Sequence, residues 1–126
     1  MDEEKIHQAQ ELGDYAESVA ADEYIKNGYV ILEKNWFLGK TEIDLIAQRD
    51  NVVVFIEVKA RSGKNQTPFE AVTPDKKRRM TRAADCYIRR LKGDFEYRFD
   101  LVGFTGTQND YELEILEDAF LAADFL

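Results

Sequence analysis

The chain has 126 residues, 44% hydrophobic and 33% charged, with 25 acidic residues against 17 basic ones for a net charge of −8 and a pI near 4.7. That length suits one domain with a core of its own, and the overall acidity excludes a general polyanion binder. A single cysteine excludes an intrachain disulfide framework and a thiolate zinc site; the acidic opening Met1-Asp2-Glu3-Glu4 does not read as a secretory leader, and no apolar run approaches the roughly 18 residues of a membrane span, so a cytoplasmic protein without membrane contact is expected.

Residues 5 to 27 have helical periodicity, with Ile6, Ala9, Gly13, Ala16, Ala20 and Tyr24 on one stripe and Gly28 as the stop. Tyr29–Trp36 reads as a strand, Phe37–Lys40 as a turn around Gly39, Glu42–Gln48 as a second strand, Arg49-Asp50-Asn51 as a turn and Val52–Ala60 as a third, strongly β-forming strand. Residues 61 to 68 have loop composition. Thr73-Pro74 opens a second helix, with Thr as N-cap and Pro in the first turn; it runs to about Leu91 with Met80, Ala84, Tyr87 and Leu91 facing the core, and Gly93 ends it. Phe95–Phe104 and Tyr111–Leu116 are the last strands, before a helical turn at Asp118–Ala123. The order α-β-β-β-α-β-β with a short helical tail predicts helices packed on a central mixed sheet. Tyr15, Trp36 and Phe37 are expected in the core, and Arg98 and Asp100, alternate residues of one strand, are expected to pair and brace the sheet.

Charge is unevenly distributed. Residues 59 to 92 hold eleven bases and three acids, a local charge of +8, which leaves −16 for the remainder. On the second helix Arg78, Arg82 and Arg89 fall opposite the core stripe, a solvent-facing basic surface suited to nucleic-acid phosphates, with Arg61 in the preceding loop. Lys76, in the first turn and nearer the core side, would contact phosphate at the site end of the sheet.

Two strands carry charges where the pattern asks for apolar side chains: Asp44 within Glu42-Ile43-Asp44-Leu45-Ile46-Ala47, and Glu57 and Lys59 within Val53-Val54-Phe55-Ile56-Glu57-Val58-Lys59. Glu57 and Lys59, two apart, share a face. If Asp50-Asn51 is a two-residue hairpin loop, Arg49 faces Val52 and Asp44 faces Glu57; a three-residue loop would put the carboxylates on opposite faces. Facing carboxylates repel unless a cation lies between them. Mg²⁺, or Mn²⁺, suits two carboxylates while leaving positions for water and phosphate oxygen, and Lys59 would orient the attacking water or offset charge in the transition state. The competing reading is a buried Asp44–Lys59 ion pair with Glu57 solvated at the sheet edge; three such charges on one face argue against it, because burying unpaired charge is costly.

Asp44, followed thirteen residues later by Glu57-Val58-Lys59, resembles the PD-(D/E)xK nuclease signature. The longer series Gly13…Glu17, Gly28-Tyr29, Asn35-Trp36, Glu42-Ile43-Asp44-Leu45-Ile46-Ala47, Phe55-Ile56-Glu57-Val58-Lys59-Ala60-Arg61, Ala71-Val72, Lys76 and Arg98-Phe99-Asp100 resembles the YraN family of uncharacterised bacterial proteins. That family is in turn similar to archaeal Holliday-junction resolvases and other restriction-endonuclease-like nucleases. The resemblance spans residues 12 to about 104 and departs at Ala16, Thr41 and Ile43, none of them a catalytic side chain. It implies a restriction-endonuclease-like fold, catalytic roles for Asp44, Glu57 and Lys59 with Asp44 and Glu57 on the metal, and Glu17 of the first helix as a fourth site residue. It also implies a DNA substrate, branched or structured, and by analogy a two-fold dimer. The alternative from a different class is a non-catalytic nucleic-acid-binding or partner-docking module that keeps the fold.

Overall fold

The computed structural model describes residues 2–63, 69 and 72–125. It contains helix α1 (Glu3–Lys26), strands β1 (Val30–Leu38), β2 (Thr41–Arg49) and β3 (Val52–Arg61), helix α2 (Pro74–Arg90), strands β4 (Glu96–Gly106) and β5 (Tyr111–Leu116), and a 3₁₀ turn at Ala122–Asp124. The five strands form one mixed sheet in the order β1-β2-β3-β4-β5. Only β3 and β4 run parallel, so their connection has to cross over the sheet, and α2 makes that crossing. The expected order of elements holds. Most of the loop expected at 61 to 68, with Lys64, lies outside the described residues, as does Ala71.

Each face of the sheet has its own apolar layer. Leu45, Ala47, Val54, Ile56, Val58, Val102 and Phe104 pack under Ala16, Ala20, Ala21 and Tyr24 of α1. Ile43, Ile46, Val53, Phe55, Phe99 and Leu101 pack under Met80, Ala83, Ala84 and Tyr87 of α2. Alternation along β3 therefore assigns even positions to α1 and odd positions to α2. The expected helix boundaries hold at α2, where the Thr73 hydroxyl accepts from Lys76 N at 3.2 Å and Pro74 sits in the first turn. α1 starts two residues earlier than its stripe suggests. The Asp2 carboxylate caps it through Lys5 N at 2.8 Å, and Glu3 and Glu4 lie favourably in its first turn.

Two apolar assignments are corrected. Ile6 and Ala9 of the α1 stripe are exposed, because the helix is longer than the apolar surface beneath it and its buried residues begin at Ala16. Phe37, expected in the core, is 56% exposed: β1 is an edge strand, and it is Trp36 and Leu38 that turn to the α2 layer.

The Arg98–Asp100 brace is present. The fully buried Asp100 accepts from Arg98 Nε at 3.0 Å, Tyr24 Oη at 2.6 Å and Asp118 N at 3.0 Å, and Arg98 Nη2 donates to Tyr29 Oη at 2.8 Å. Burial and the neighbouring Asp100 push the Tyr24 hydroxyl pKa up, so it stays a donor. Asp100→Ala would orphan three donors at once. It should lower unfolding free energy by about 3 kcal/mol or more in urea titration; a loss below about 1 kcal/mol would mean that water replaces the carboxylate.

Candidate metal centre and its surroundings

The hairpin joining β2 and β3 has the two-residue loop Asp50-Asn51, with Asp50 at φ 54°, and a register from Arg49↔Val52 to Leu45↔Ile56. One residue further, at Asp44, the ladder stops. The Asp44 carboxylate takes the place of a strand partner there: its Oδ2 accepts the buried Val58 N–H at 2.7 Å. The alternation of β2 also breaks at this point, since Ile43 lies in the α2 layer and Leu45 in the α1 layer, although residues two apart normally share a face. The break opens the sheet between β2 and β3 and leaves Asp44, itself buried, at the opening.

Side chains reach this opening from both layers. From the α1 side come Glu17 and, on β2, Glu42; together with Asp44 they have carboxylate oxygens that all lie within 4.8 Å of one another. Asn35 ties two of them, its amide donating to Glu17 Oε2 at 3.1 Å and Glu42 Oε1 at 3.3 Å. Asn35 sits in β1 between the pairs Lys34↔Leu45 and Trp36↔Ile43, opposite Asp44, with φ 48°. Asparagine is among the few non-glycine residues that adopt this left-handed backbone readily, so the strand turns locally without breaking its register. An open cleft of about 340 Å³, lined by Asp14, Glu17, Ser18, Lys34, Asn35 and Leu45, adjoins the cluster.

From the α2 side comes Glu57, 4% exposed. Its Oε1 lies 3.4 Å from Lys59 Nζ and its Oε2 lies 3.5 Å from Lys76 Nζ. Lys76 Nζ also donates to the Glu42 carbonyl oxygen at 3.3 Å, so the first turn of α2 is fastened to β2 and β3 together. Glu57 Oε2 nevertheless accepts no hydrogen bond; among the described residues it is the one buried side-chain polar atom left so.

These positions set the electrostatics. Burial, then the negative charge of Glu57, push the Asp44 carboxyl up to about 9, while the Val58 N–H works the other way. The Glu17 carboxyl is also raised, chiefly by burial, against the lowering effect of its Asn35 hydrogen bond. The site is thus short of positive charge on the Asp44 side, and its donor set, carboxylate oxygens only, is that of a hard divalent cation.

Of the residues expected at the site, Asp44, Glu17, Glu57, Lys59 and Lys76 converge here. The tight carboxylate cluster, however, joins Asp44 to Glu17 and Glu42 and does not include Glu57. Glu42 and Asn35 were seen in the sequence only as parts of a motif. A polar Asn within a strand and a Glu two residues before Asp44 were the signals available for them. Arg78, Arg82 and Arg89 lie exposed on α2 as expected, with Arg78 paired to Asp75 at 2.7 Å and Arg89 to Asp85 at 3.1 Å. Arg61 is apart from them: its guanidinium folds back on the Ala60 carbonyl at 2.9 Å beside a cleft shared with Lys5, Gln8 and Leu12 of α1.

The sequence profile of the uncharacterised protein family UPF0102 matches residues 16–104, a span that contains every side chain of this cluster. The chain belongs to that family. Curated UPF0102 members include a Flavobacterium psychrophilum protein, 37% identical over 87% of this chain and 93% of the relative. A Phocaeicola vulgatus protein is 37% identical over 87% and 92%, and one from Clostridium perfringens is 41% identical over 86% and 93%. The matched span and these identities fit the YraN-like resemblance of the sequence. No described helix of this UPF0102 chain is long and apolar enough to cross a membrane.

Proposed function

We propose that this UPF0102 protein is a metal-dependent endonuclease that hydrolyses phosphodiester bonds in branched or structured DNA, built on a restriction-endonuclease-like fold. The observation that carries the reading is the opening of the sheet at Asp44. The buried Asp44 and the half-buried Glu17 and Glu42 are gathered there without the positive charge they require, next to two ammonium groups and a buried Glu57 oxygen that accepts no hydrogen bond. A structural ion pair would leave no such surplus, since buried charge is normally satisfied by its partners. The element order, the parallel β3–β4 pair and the site at the β2–β3 opening support the fold assignment.

Asp44 and its carboxylate neighbours would hold Mg²⁺ or Mn²⁺. Such an ion lowers the pKa of water and offsets charge on a phosphate under attack. The chain's own residues do the rest. Lys59, held by Glu57 and 29% exposed, orients a water or stabilises the phosphorane charge. Lys76 offers an ammonium to a phosphate oxygen at the N-terminus of α2. Asn35 fixes the directions of Glu17 and Glu42. Incubating the protein with linear, flapped and four-way DNA and with RNA, each with Mg²⁺, Mn²⁺ or EDTA, tests the proposal. Metal-dependent cutting of branched DNA is the expected result. Cutting confined to RNA would move the substrate class, and no cutting of any substrate would leave the protein a binding module.

Arg78, Arg79, Arg82, Arg89 and Arg90 expose a basic strip along the helix that begins at the site. Changing Arg78, Arg82 and Arg89 together to Ala should leave folding nearly unaffected, because exposed pairs contribute little. It should flatten the slope of log K against log salt by up to roughly 2.7, about 0.9 per lost phosphate contact. An unchanged slope would shift the binding surface towards Arg61 and the α1 side.

A further inference from the structure

One large aromatic ring stands uncovered beside the site. Phe37 is 56% exposed and joins neither apolar layer, although its neighbours Trp36 and Leu38 both pack on the α2 side. We propose that Phe37 is a stacking platform for an unpaired nucleobase, and that it selects DNA with at least one unpaired base close to the bond to be cut. The inference rests on the nuclease reading above and names the substrate feature that the site selects.

Position carries the inference first. Phe37 pairs directly with Glu42, and side chains paired in this way share a face, with Cβ atoms about 4.5–5.5 Å apart. The Glu42 carboxylate meets Glu17 and Asp44 on the α1 side, so the ring stands on that side, beside the opening of the sheet. Its support is firm. Leu38 pairs with Thr41 across the two-residue turn Gly39-Lys40, in which Gly39 supplies the left-handed backbone at φ 59°. The ring is therefore carried on a tight hairpin, and binding has only two side-chain torsions to order. A base stacked on it lies within a few base steps, of about 3.4 Å each, of a phosphate at Asp44.

Charge and size choose the occupant. Lys34 and Lys40 lie three residues to either side of Phe37, both exposed, and among the described residues neither forms an ion pair. Lys34 also lines the open cleft beside the carboxylates. An aromatic face with ammonium groups on both sides suits a single strand, with stacking for a base and cations for the phosphates before and after it. A protein partner fits poorly. A phenylalanine side chain offers at most roughly 250 Å², against roughly 800 Å² per partner in a stable interface. The other exposed large apolar residue of β1, Val30, stands about 23 Å away along the strand. Within a duplex both faces of each base are already stacked, so the ring finds a bare face only where pairing is interrupted, at a flap, gap or branch.

Fluorescence anisotropy in EDTA, which reads binding without cleavage, tests the inference on a flapped and a fully paired DNA duplex. Phe37→Ala should weaken binding of the flapped duplex about 5- to 100-fold and leave the paired duplex within about twofold. Phe37→Trp should keep the preference. Phe37→Leu, which keeps apolar bulk but has no ring, should lose it as Phe37→Ala does. 2-Aminopurine placed in the flap should lose fluorescence on binding the wild type and Phe37→Trp, and keep it with Phe37→Leu. Circular dichroism confirms that each variant is folded, as expected for an exposed position. The inference is overturned if Phe37→Ala weakens both DNAs alike, if Phe37→Leu keeps the full preference, or if the wild type binds neither DNA. A wild type that prefers the flap through Phe37 yet cuts nothing with Mg²⁺ or Mn²⁺ supports the stacking role and sinks the nuclease. Cutting of flapped DNA with no loss of affinity or rate in Phe37→Ala does the reverse.

Discussion

Exchanging Glu57 for Gln should cut phosphodiester cleavage by roughly 10²–10⁴-fold, the usual range for removing one electrostatic or acid–base element of a site, while nucleic-acid affinity holds or rises. The two halves of this result have one cause. Glu57 is the negative partner of Lys59 at 3.4 Å and Lys76 at 3.5 Å. Without its charge, neither ammonium is held in the position that serves water activation, so rate falls. Both ammonium groups are partly exposed, so they can turn outward on their flexible stems, and a phosphate backbone becomes their best remaining partner. Single-turnover cleavage of a labelled four-way junction and filter binding in EDTA separate the two effects. Unchanged cleavage in the variant would assign any activity to another site or to a contaminant; a loss of binding equal to the loss of rate would make Glu57 a structural residue.

A second large effect is expected at Asp44, and it has the unusual direction of stabilising the protein while disabling it. The folded state raises the Asp44 pKa from 3.8 to about 9. Between those values the folded chain keeps a proton that the unfolded chain releases, so in metal-free buffer Asp44 makes stability fall as pH rises, by at most about 1.4 kcal/mol per pH unit, until the slope levels above about pH 9. Asp44→Asn removes that dependence. Its side-chain oxygen can still accept the Val58 N–H, and no charge faces Glu57, Glu42 and Glu17. At pH 8 in EDTA the variant should be more stable than the wild type by about 1–3 kcal/mol, on the order of 5–10 °C in Tm, with the difference closing towards pH 4. Metal-dependent cleavage should be abolished. If Asp44→Asn instead lowers Tm by an amount independent of pH, Asp44 is the partner of a buried cation and the metal reading fails with it.

Much of this arrangement could be read from local chemistry. The α2 start follows from Thr73-Pro74, where a hydroxyl cap and a residue needing no N–H donor coincide. The β2–β3 register follows from Asp50-Asn51, because a tight turn leaves a hairpin almost no freedom to slip. Asp44, Glu57 and Lys59 stood out because a strand pattern has no place for charge unless something answers it. These are signals within about ten residues, and chain connectivity alone makes them legible.

What the tertiary structure decided lies at longer range. Periodicity marked Ile6 and Ala9 as core, but periodicity states only which way a helix faces, and the sheet beneath α1 supplies burial only from Ala16 onward. Glu42 stood in the sequence only as the first residue of a strand motif; α1 brought Glu17 to it, and Asn35, at φ 48°, turned its amide onto both. The helical wheel placed Lys76 near the core side of α2 but could not say over which strand. That depends on the crossover required by the parallel β3–β4 pair, which sets the first turn of α2 above Glu57. The sequence by itself determined which side chains carry the charge and which strands hold them. The packing of two helices on opposite faces of an opened sheet decided which charges meet, because a contact between residues tens of positions apart has no signature in local pattern and exists only once the chain has closed on itself.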